Sequence, residues 1–416
     1  MRRHAAVAVA AFLTVTLLPA PASAAPGELD LSFGFDGIAS DFGGCGGSCT
    51  FPNDVTVLAD GRIVLIGVAN TESEDRFGIG AVGSVFTAEG AFDAYGFGPG
   101  IHAFLDASRA IAPLPDGGAM VAGWLQRCLD DLDPCGEVSR SAFLVTRSLP
   151  DGSPDPTFGR NGSTRVLLGG GGYADGVAVQ VDGGVVATGP VASVLGRPKV
   201  AAIRLLPDGA LDPAFGQGGR VLRGGGQMHD VEVDAEGRIV LAGDARGGGF
   251  LVVRLLPDGS VDPEFGEDGR VVVNPGGTAS GANDVLVQPD GGVIVAGWVE
   301  ILDDELGSVR RFALTRLLDD GGLDHAFGRG GLVRSGFGRG SAGVDEIVLQ
   351  PDGRIVAGGG NGVTRYTADG RRDPTFGGDG RAWLPWEIEG LALQGDGLLV
   401  GVNSWDYGMS AARILR

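Results

Sequence analysis

The chain has 416 residues, 77 of them glycine, and a formal net charge of −20 at pH 7. So acidic a surface is a poor partner for nucleic acid and for anionic membranes. Glycine at this level is typical of disorder, but 43% of the chain is hydrophobic and falls into short alternating runs, so we interpret the glycines as turns between strands.

Residues 1–24 have the pattern of a secretory signal peptide. A basic start at Arg2 and Arg3 precedes an apolar stretch over residues 5–18 and a small-residue site that ends at Ala24. We therefore expect cleavage after Ala24 and a secreted, extracellular mature protein. No later run is long and apolar enough for a transmembrane helix, so membrane insertion is not expected.

Four cysteines follow in two closely spaced pairs, Cys45 with Cys49 and Cys128 with Cys135. An oxidising compartment favours disulfides, and two local bridges are the first interpretation. Pairing between the two segments is the alternative. A zinc site is not predicted, because neither pair has the CxxC spacing or a nearby histidine.

The phrase LLPDGALDPAFGQGGRV, which begins at Leu205, returns at Leu255 as LLPDGSVDPEFGEDGRV. Aligning the chain on Phe-Gly gives seven copies at a mean of about 57 residues. The aligned residues are Phe33, Phe97, Phe158, Phe215, Phe265, Phe327 and Phe376.

Each copy predicts four short strands. In the hairpin Asp284–Gly297 the first strand alternates in polarity, whereas Val293–Ala296 is apolar throughout, as expected of a strand covered on both faces. A further strand, Phe312–Gly321, leads into the next Phe-Gly. An Asp-Gly or Glu-Gly pair supplies the positive φ of a tight turn at residues 60–61, 116–117, 182–183, 236–237, 290–291, 352–353 and 396–397.

Sheets that are apolar on both faces must stack on neighbours. We therefore predict an all-β fold, in which residues 25–416 form a single seven-bladed β-propeller of four-stranded blades. The chain begins with a Phe-Gly strand that has no preceding partners and ends with those partners, so the N- and C-terminal strands should pair and close the ring. Both variable loops of each copy should then emerge on one face.

The repeat resembles the delta-sixty repeat family of secreted bacterial proteins. The motifs that carry the resemblance are the phrases LDPAFG at Leu211, LDHAFG at Leu323 and RDPTFG at Arg372, with QPDG hairpins at Gln288 and Gln350. The resemblance covers nearly all of the mature chain and implies a propeller-like fold. It implies no established reaction and no catalytic residues.

Acidic residues recur at or just before the start of the inner strand. In a closed ring these carboxylates would meet at the mouth of the central channel, where oxygen ligands could hold Ca²⁺. The alternative is that each carboxylate accepts backbone N–H groups at its own loop end. The predicted metal ligands are Asp54, Asp230, Asp284 and Asp345, and the same pattern includes Asp175, Glu346 and Glu389.

Aromatic residues provide a second candidate site on the loop face. Exposed rings there could stack on sugars or anchor a protein partner, and the alternative is packing against neighbouring acidic loops. The candidate ligand-binding residues are Trp124, Trp298, Trp386, Trp405 and Tyr407.

An arginine precedes most Pro-Asp-Gly turns, and we interpret it as an exposed structural partner of a turn aspartate. Its copies are Arg147, Arg204, Arg254, Arg316, Arg365 and Arg413.

No catalytic motif is present, so the sequence favours a monomeric binding module whose partner is an extracellular protein or glycan. A secreted hydrolase or lyase using carboxylates at the channel mouth is the alternative. No cofactor other than Ca²⁺ is suggested.

Overall fold

The computed structural model describes residues 25–41, 48–73, 76–95, 107–127, 140–192, 198–336, 341–395, 397–404 and 408–415. The predicted signal peptide and Phe97 lie outside these ranges. Every regular element within them is a β-strand. No helix long and apolar enough to cross a membrane occurs in the same ranges.

The strands are numbered in chain order. The first nine are β1 (Ile38–Ser40), β2 (Ser48–Val57), β3 (Ile63–Ser73), β4 (Arg76–Phe86), β5 (Phe92–Tyr95), β6 (Ala107–Pro113), β7 (Ala119–Arg127), β8 (Arg140–Ser148) and β9 (Ser163–Val166). The next nine are β10 (Gly176–Val179), β11 (Val185–Thr188), β12 (Val191–Ala192), β13 (Pro198–Leu205), β14 (Arg220–Gly224), β15 (Gly226–Val233), β16 (Ile239–Ala245), β17 (Phe250–Leu255) and β18 (Arg270–Val273). The last nine are β19 (Ala279–Val287), β20 (Val293–Asp303), β21 (Gly307–Leu317), β22 (Leu332–Ser335), β23 (Glu346–Leu349), β24 (Ile355–Tyr366), β25 (Arg381–Gln394), β26 (Gly397–Ser404) and β27 (Gly408–Leu415).

These strands form six antiparallel sheets, which are the blades of a β-propeller. Sheet 1 is β2–β5, sheet 2 is β6–β9, sheet 4 is β15–β18 and sheet 5 is β19–β22, each four-stranded and in sequence order. Sheet 3 contains β10–β14, with the short β12 as an extra partner of β13. Sheet 6 has the order β1-β27-β26-β25-β24-β23.

The prediction of seven blades is wrong, because the last two sequence repeats share sheet 6. Strand β25 is 14 residues long; its first part pairs with β24 through Arg381 to Trp383, and its second part pairs with β26 from Glu387 onward. In the other repeats, the connection from the outer strand of one copy to the inner strand of the next contains glycine. Within β25 the corresponding residues are Leu-Pro-Trp. Without a glycine to turn the chain, the backbone stays extended and the two repeats join in one sheet.

The predicted pairing of the two chain ends is observed. Strand β1 pairs with β27, with Ile38 opposite Ala412. The Arg413 guanidinium lies 2.8 Å from the Asp30 carboxylate and 4.6 Å from the centroid of the Phe33 ring. The amide of Gly377 also donates to the carbonyl of Pro26 at 2.8 Å. The N-terminal segment therefore completes the last Phe-Gly turn of the ring.

The hydrophobic core lies between successive sheets. The Phe-Gly side chains within the described residues are fully buried; Phe215, for example, packs with Val186 of sheet 3 and with Met228 and Leu241 of sheet 4. Because each apolar cluster takes side chains from two consecutive repeats, one sheet alone would leave both faces in water.

The antiparallel order places two kinds of connection at opposite faces of the propeller. The Asp-Gly turns form as predicted within the described residues, which leave out Asp396. At Gly291 φ is 84°, and its amide donates to the Gln288 carbonyl at 2.9 Å. The Pro-Asp-Gly turns share that face. The longer connections, such as the one between β20 and β21, emerge on the other, which we call the loop face.

Candidate functional site

Five of the inner strands share a β-bulge toward their loop-face end. In β2 the pairing register shifts between Pro52 and Asp54, and β6, β15, β19 and β25 have the same shift. A bulge re-aims the side chains beside it. We call the skipped residue the mouth position and the next residue the channel position. In β10 and β23, which have no register shift, the mouth position is the residue before the strand and the channel position is its first residue. Along the chain the mouth position holds Asn53, Arg109, Asp175, His229, Asn283, Asp345 and Glu389; the channel position holds Asp54, Ala110, Gly176, Asp230, Asp284, Glu346 and Gly390.

The channel carboxylates join neighbouring inner strands. Each accepts the amide N–H of the residue that follows the channel position in the next inner strand. The donors to Asp54, Asp230, Asp284 and Glu346 are Ile111 at 2.8 Å, Val285 at 3.1 Å, Ile347 at 2.5 Å and Leu391 at 2.6 Å, respectively.

Two of these carboxylates also bind within their own strand. The second oxygen of Asp54 accepts the amide of Val55 at 2.6 Å, and that of Asp284 accepts the amide of Val285 at 2.7 Å. This is the alternative interpretation of the acidic pattern, in which the carboxylates fix the ends of the inner strands.

Burial and mutual repulsion keep these acids protonated to an unusually high pH. Desolvation raises the pKa of Asp54 to about 7, against the lowering effect of its two amide hydrogen bonds. Desolvation and the neighbouring Asp230 raise the pKa of Asp284 well above its ordinary value, and desolvation with Asp54 does the same for Glu346. On β15, burial and then Asp230 raise the pKa of Glu232 to about 8.

The predicted calcium ligands are only partly brought together. Asp54, Asp230 and Asp284 occupy the channel position, but Asp345 is at the mouth position and its neighbour Glu346 takes the channel place. Among the described residues, no group of three or more His, Cys, Asp or Glu side chains is arranged to hold a metal ion. Calcium binding stays a prediction.

The mouth position of sheet 4 carries an imidazole held between two carboxylates. His229 Nδ1 lies 3.2 Å from Asp175 of sheet 3, and Nε2 lies 3.2 Å from Asp244 at the end of β16. Gln227 donates to the same Asp244 oxygen at 3.1 Å. Burial alone would lower the pKa of His229, but the hydrogen bonds and charges of the two aspartates outweigh it and raise the pKa to about 9. The imidazole is therefore a cation at neutral pH.

Aromatic side chains lie on both sides of this histidine. On one side the rings of Trp124 and Tyr173 are 6.4 Å apart at 50°, and the Arg109 guanidinium lies 5.3 Å from the Tyr173 centroid. On the other side the Arg310 guanidinium lies 4.0 Å from the ring of Trp298.

Gly281 connects the histidine to the second aromatic side. A Cβ atom there would lie 2.2 Å from Asp244 Oδ1 and 3.0 Å from Trp298 Nε1, so both side chains border this glycine. The result is one continuous polar and aromatic surface across sheets 2 to 5. We call it the mouth cluster, made up of Arg109, Trp124, Tyr173, Asp175, Gln227, His229, Asp244, Trp298 and Arg310.

The predicted aromatic residues divide into three groups. Trp124 and Trp298 belong to the mouth cluster. Trp386 was expected in a loop, but it lies within β25 and packs against an apolar cluster of sheet 6. Trp405 and Tyr407 lie outside the described residues, so their role stays a prediction.

The predicted disulfides are not tested. Cys45, Cys128 and Cys135 lie outside the described residues, and only the backbone of Cys49, in β2, is described.

Most of the mouth cluster was not predicted from the sequence, notably Arg109, Tyr173, His229, Asp244 and Arg310. A signal was present, because the residue before the channel position changes from repeat to repeat, whereas the Asp-Gly turn after the same strand recurs. Asn occupies it in sheets 1 and 5, where Asn53 and Asn283 donate to carbonyls of the next sheet at 2.6 and 2.7 Å.

The repeated arginines are structural partners of turn aspartates, as predicted, but they are not all exposed. Arg254 Nε lies 2.7 Å from Asp262, and the two side chains are 2% and 4% exposed. The Arg254 guanidinium also stacks 4.6 Å from the Phe265 centroid. Arg365 and Asp373 repeat the buried pair at 2.8 Å.

Several solved structures are similar to this chain at low sequence identity. The WD40 β-propeller domain of Doa1 is 14% identical, with a TM-score of 0.45 over 92% of this chain and 98% of that chain. A glucose dehydrogenase is 12% identical, with a TM-score of 0.46 over 91% and 99% of the two chains. A gluconolactonase from Xanthomonas campestris is 15% identical, with a TM-score of 0.35 over 66% and 82%.

No curated protein matches the chain in sequence. Four stretches, residues 180–215, 235–265, 288–327 and 350–376, match the family described as a domain of unknown function (DUF5122) β-propeller, so sequence and structure agree that these are propeller repeats.

Proposed function

We propose that this chain is an exported, monomeric binding module that holds an extracellular ligand, a glycan or a protein, on the loop face of its propeller. Export is supported by the signal-peptide pattern of residues 1–24. We further assign the repeats to the delta-sixty family, supported by the LDPAFG-type motifs and by the match to a propeller repeat family.

One observation carries the proposal: the mouth cluster departs from the repeat. The rest of the inner-strand pattern is explained by ring packing. In sheet 1, however, Asn53 stands in the place of His229, and Val68 stands in the place of Trp124 and Trp298. Aromatic rings beside a few convergent polar groups are typical of ligand sites. Trp124, Tyr173 and Trp298 are half-buried, so each keeps surface for a ligand.

The proposal is tested with Trp124→Ala and Trp298→Ala against Trp383→Ala as a matched control. Trp383 is 57% exposed and lies on β25, away from the mouth cluster. Immobilised mature protein is offered an oligosaccharide panel and a panel of purified extracellular proteins, and binding is measured by interferometry.

The affinity for a ligand of the loop face should fall at least tenfold in Trp124→Ala and in Trp298→Ala. The affinity should be unchanged in Trp383→Ala. Binding that depends only on Trp383, or the absence of any binder in both panels, contradicts the proposal.

A secreted hydrolase or lyase is the second candidate, favoured by the raised pKa of Asp54 and Asp284. Against it, both oxygens of these two carboxyls already accept backbone amides. Hydrolysis of a glycan by the wild type, abolished in the Asp54→Asn and Asp284→Asn variants with the fold intact, would establish the enzyme instead.

A further inference from the structure

Three buried polar atoms of the mouth cluster have no hydrogen-bond partner among the described residues. They are the indole Nε1 of Trp124, Oδ1 of Asp175 and Oδ1 of Asp244. The cation nearest to Asp175 Oδ1 is Arg109, at 3.8 Å, which is an ion pair but too long for a hydrogen bond. A buried polar group without a partner costs about 1–3 kcal/mol. One donor and two acceptors are therefore left without a hydrogen-bond partner by the described part of the chain.

The two aspartates are oriented by the same side chain. In each carboxylate Oδ2 faces the His229 ring, and Oδ1 is the atom left over. Because the imidazole contacts Asp175 through Nδ1 and Asp244 through Nε2, the two carboxylates lie on opposite edges of one flat ring. His229 thus fixes the directions of both Oδ1 atoms.

The charges around these atoms select against ionic ligands. Arg109 and the His229 cation already offset Asp175 and Asp244, so an ammonium group has no unbalanced carboxylate to bind. An anion would meet two carboxylate oxygens, because the His229 cation is already bonded to both aspartates and the third cation of the cluster, Arg310, is stacked on the Trp298 ring. A hydroxyl group suits the site, since it can donate to a carboxylate or accept from an indole N–H.

We propose that the mouth cluster binds an uncharged sugar ring, whose hydroxyls donate to Oδ1 of Asp175 and Asp244 and accept from Trp124 Nε1. The apolar face of the sugar packs on the aromatic side chains of the cluster. His229 acts as a positioning residue for both carboxylates. This inference rests on the proposed function and names its ligand class.

The positioning role makes sugar affinity depend on pH. His229 faces Asp175 and Asp244, Arg109 faces Asp175, and the His229 charge also acts on Asp230 next to it in β15. The pKa of His229 is raised to about 9. When the proton leaves, only one ring nitrogen can donate, so one carboxylate is released.

The test uses calorimetric titration of the mature chain with glucose, galactose and mannose and with their neutral oligosaccharides. Glucuronate and glucosamine serve as charged probes of the same ring. Asp244→Asn removes one acceptor. His229→Asn is the positioning variant, since Asn occupies this position in sheets 1 and 5 and is compatible with the fold. Asp268→Asn is the control, because Asp268 is an exposed turn residue with φ of 52°, which Asn tolerates.

At least one neutral sugar should bind, and its affinity should fall about tenfold or more in Asp244→Asn, the loss expected for one charged hydrogen bond. His229→Asn should weaken binding and abolish the pH dependence, whereas Asp268→Asn should match the wild type in both. Glucuronate and glucosamine should bind at least tenfold more weakly than the neutral sugar.

Three results overturn the inference and are distinguishable from failure of the proposed function. If charged sugars bind as well as neutral ones, or if Asp244→Asn binds as tightly as wild type, the ligand class or the contacts are wrong. If no sugar binds but an extracellular protein binds in a manner dependent on Trp124 and Trp298, the binding face stands and the sugar inference falls. Binding independent of both tryptophans rejects the proposed function itself.

Discussion

The outer turns and the mouth of the propeller are built from the same sequence repeat. The residues at the outer turns are nearly the same in every copy, whereas those at the mouth vary. At the outer turns the same trio of Arg, Asp and Phe returns, as in Arg254 with Asp262 and Phe265. At the mouth position the residue changes from Asn53 to Asp175 to His229. A position that does the same packing in every sheet keeps its side chain. Variation at a half-buried polar position therefore marks the part of the ring that is available for recognition.

The largest expected effect comes from breaking a constant element. Arg254→Ala removes the partner of Asp262 at a pair that is almost fully buried, and it also removes the contacts of Arg254 with Asp319 in sheet 5. An unpaired buried carboxylate costs about 3–5 kcal/mol. We expect a loss of that size in the free energy of unfolding, measured by urea titration.

The control for this variant is Arg371→Ala. Arg371 also pairs with an aspartate, Asp369, at 3.1 Å, but its side chain is 80% exposed. Exposed pairs contribute about 0–1 kcal/mol. Equal losses in the two variants would show that burial is not what makes the outer-turn pairs strong.

The second prediction concerns the pH dependence set by the channel acids. An acid whose pKa is raised to about 7 keeps its proton in the folded state, whereas the unfolded chain releases it near pH 4. The folded state then binds more protons within that window, so stability falls as pH rises from about 4 to 7. We expect a loss of about 2–3 kcal/mol for the channel acids together, because neighbouring carboxyls titrate as one coupled group and not independently.

Asp54→Asn isolates one member of this group. Any loss of amide hydrogen bonding in the variant is present at all pH values, so the comparison with wild type across pH reports the ionisation. The variant should gain about 1–2 kcal/mol relative to wild type between pH 5 and pH 8, in guanidinium titrations. A constant difference between the two proteins would contradict the raised pKa of Asp54.

The propeller could be predicted from sequence because its signals are repeated and local. The Phe-Gly turn, the Asp-Gly turn and the apolar strand each recur, and the chain ends complete each other at Asp30 and Arg413. The blade count could not be predicted in the same way. The number of blades depends on the connection before Trp386, which has no glycine. An alignment of repeats on their shared motifs does not reveal such an absence.

The candidate site was predictable only in part for a related reason. Trp124 and Trp298 were found because each directly follows the Ala-Gly end of a repeated apolar strand. Asp244 was not, since it ends a strand and meets His229 only through the bulge that turns the inner strand of sheet 4. When side chains come together through a bulge in the backbone, their positions do not follow the alternation that predicts strand faces from sequence.

The third prediction tests the varied position itself. His229 has its pKa raised to about 9, so its stabilising effect is full below the unfolded value near 6.5 and is lost as pH rises through 9. His229→Asn should therefore lose about 1–2 kcal/mol of stability at pH 6, allowing for a side chain that is 22% exposed. At pH 10 the two proteins should be equally stable in thermal or urea unfolding. A loss that persists at pH 10 would mean that packing, not charge, holds the histidine.

The smallest effect on stability is expected at Gly281. Replacing this glycine, which borders the mouth cluster, can be compared with replacing a glycine outside the cluster. Alanine there places a Cβ 2.2 Å from Asp244 Oδ1, so the carboxylate must shift. The strand can absorb this at a cost of under about 1 kcal/mol, because the contact is with the end of a side chain. Gly224→Ala on β14 meets nothing within 4 Å and serves as the control.

If the mouth cluster recognises a ligand through Asp244, Gly281→Ala should weaken ligand binding severalfold and leave the melting temperature nearly unchanged. Gly224→Ala should change neither the affinity nor the melting temperature. Equal binding by the two variants would show that the position of this carboxylate does not matter, and the mouth would then be as purely structural as the outer turns.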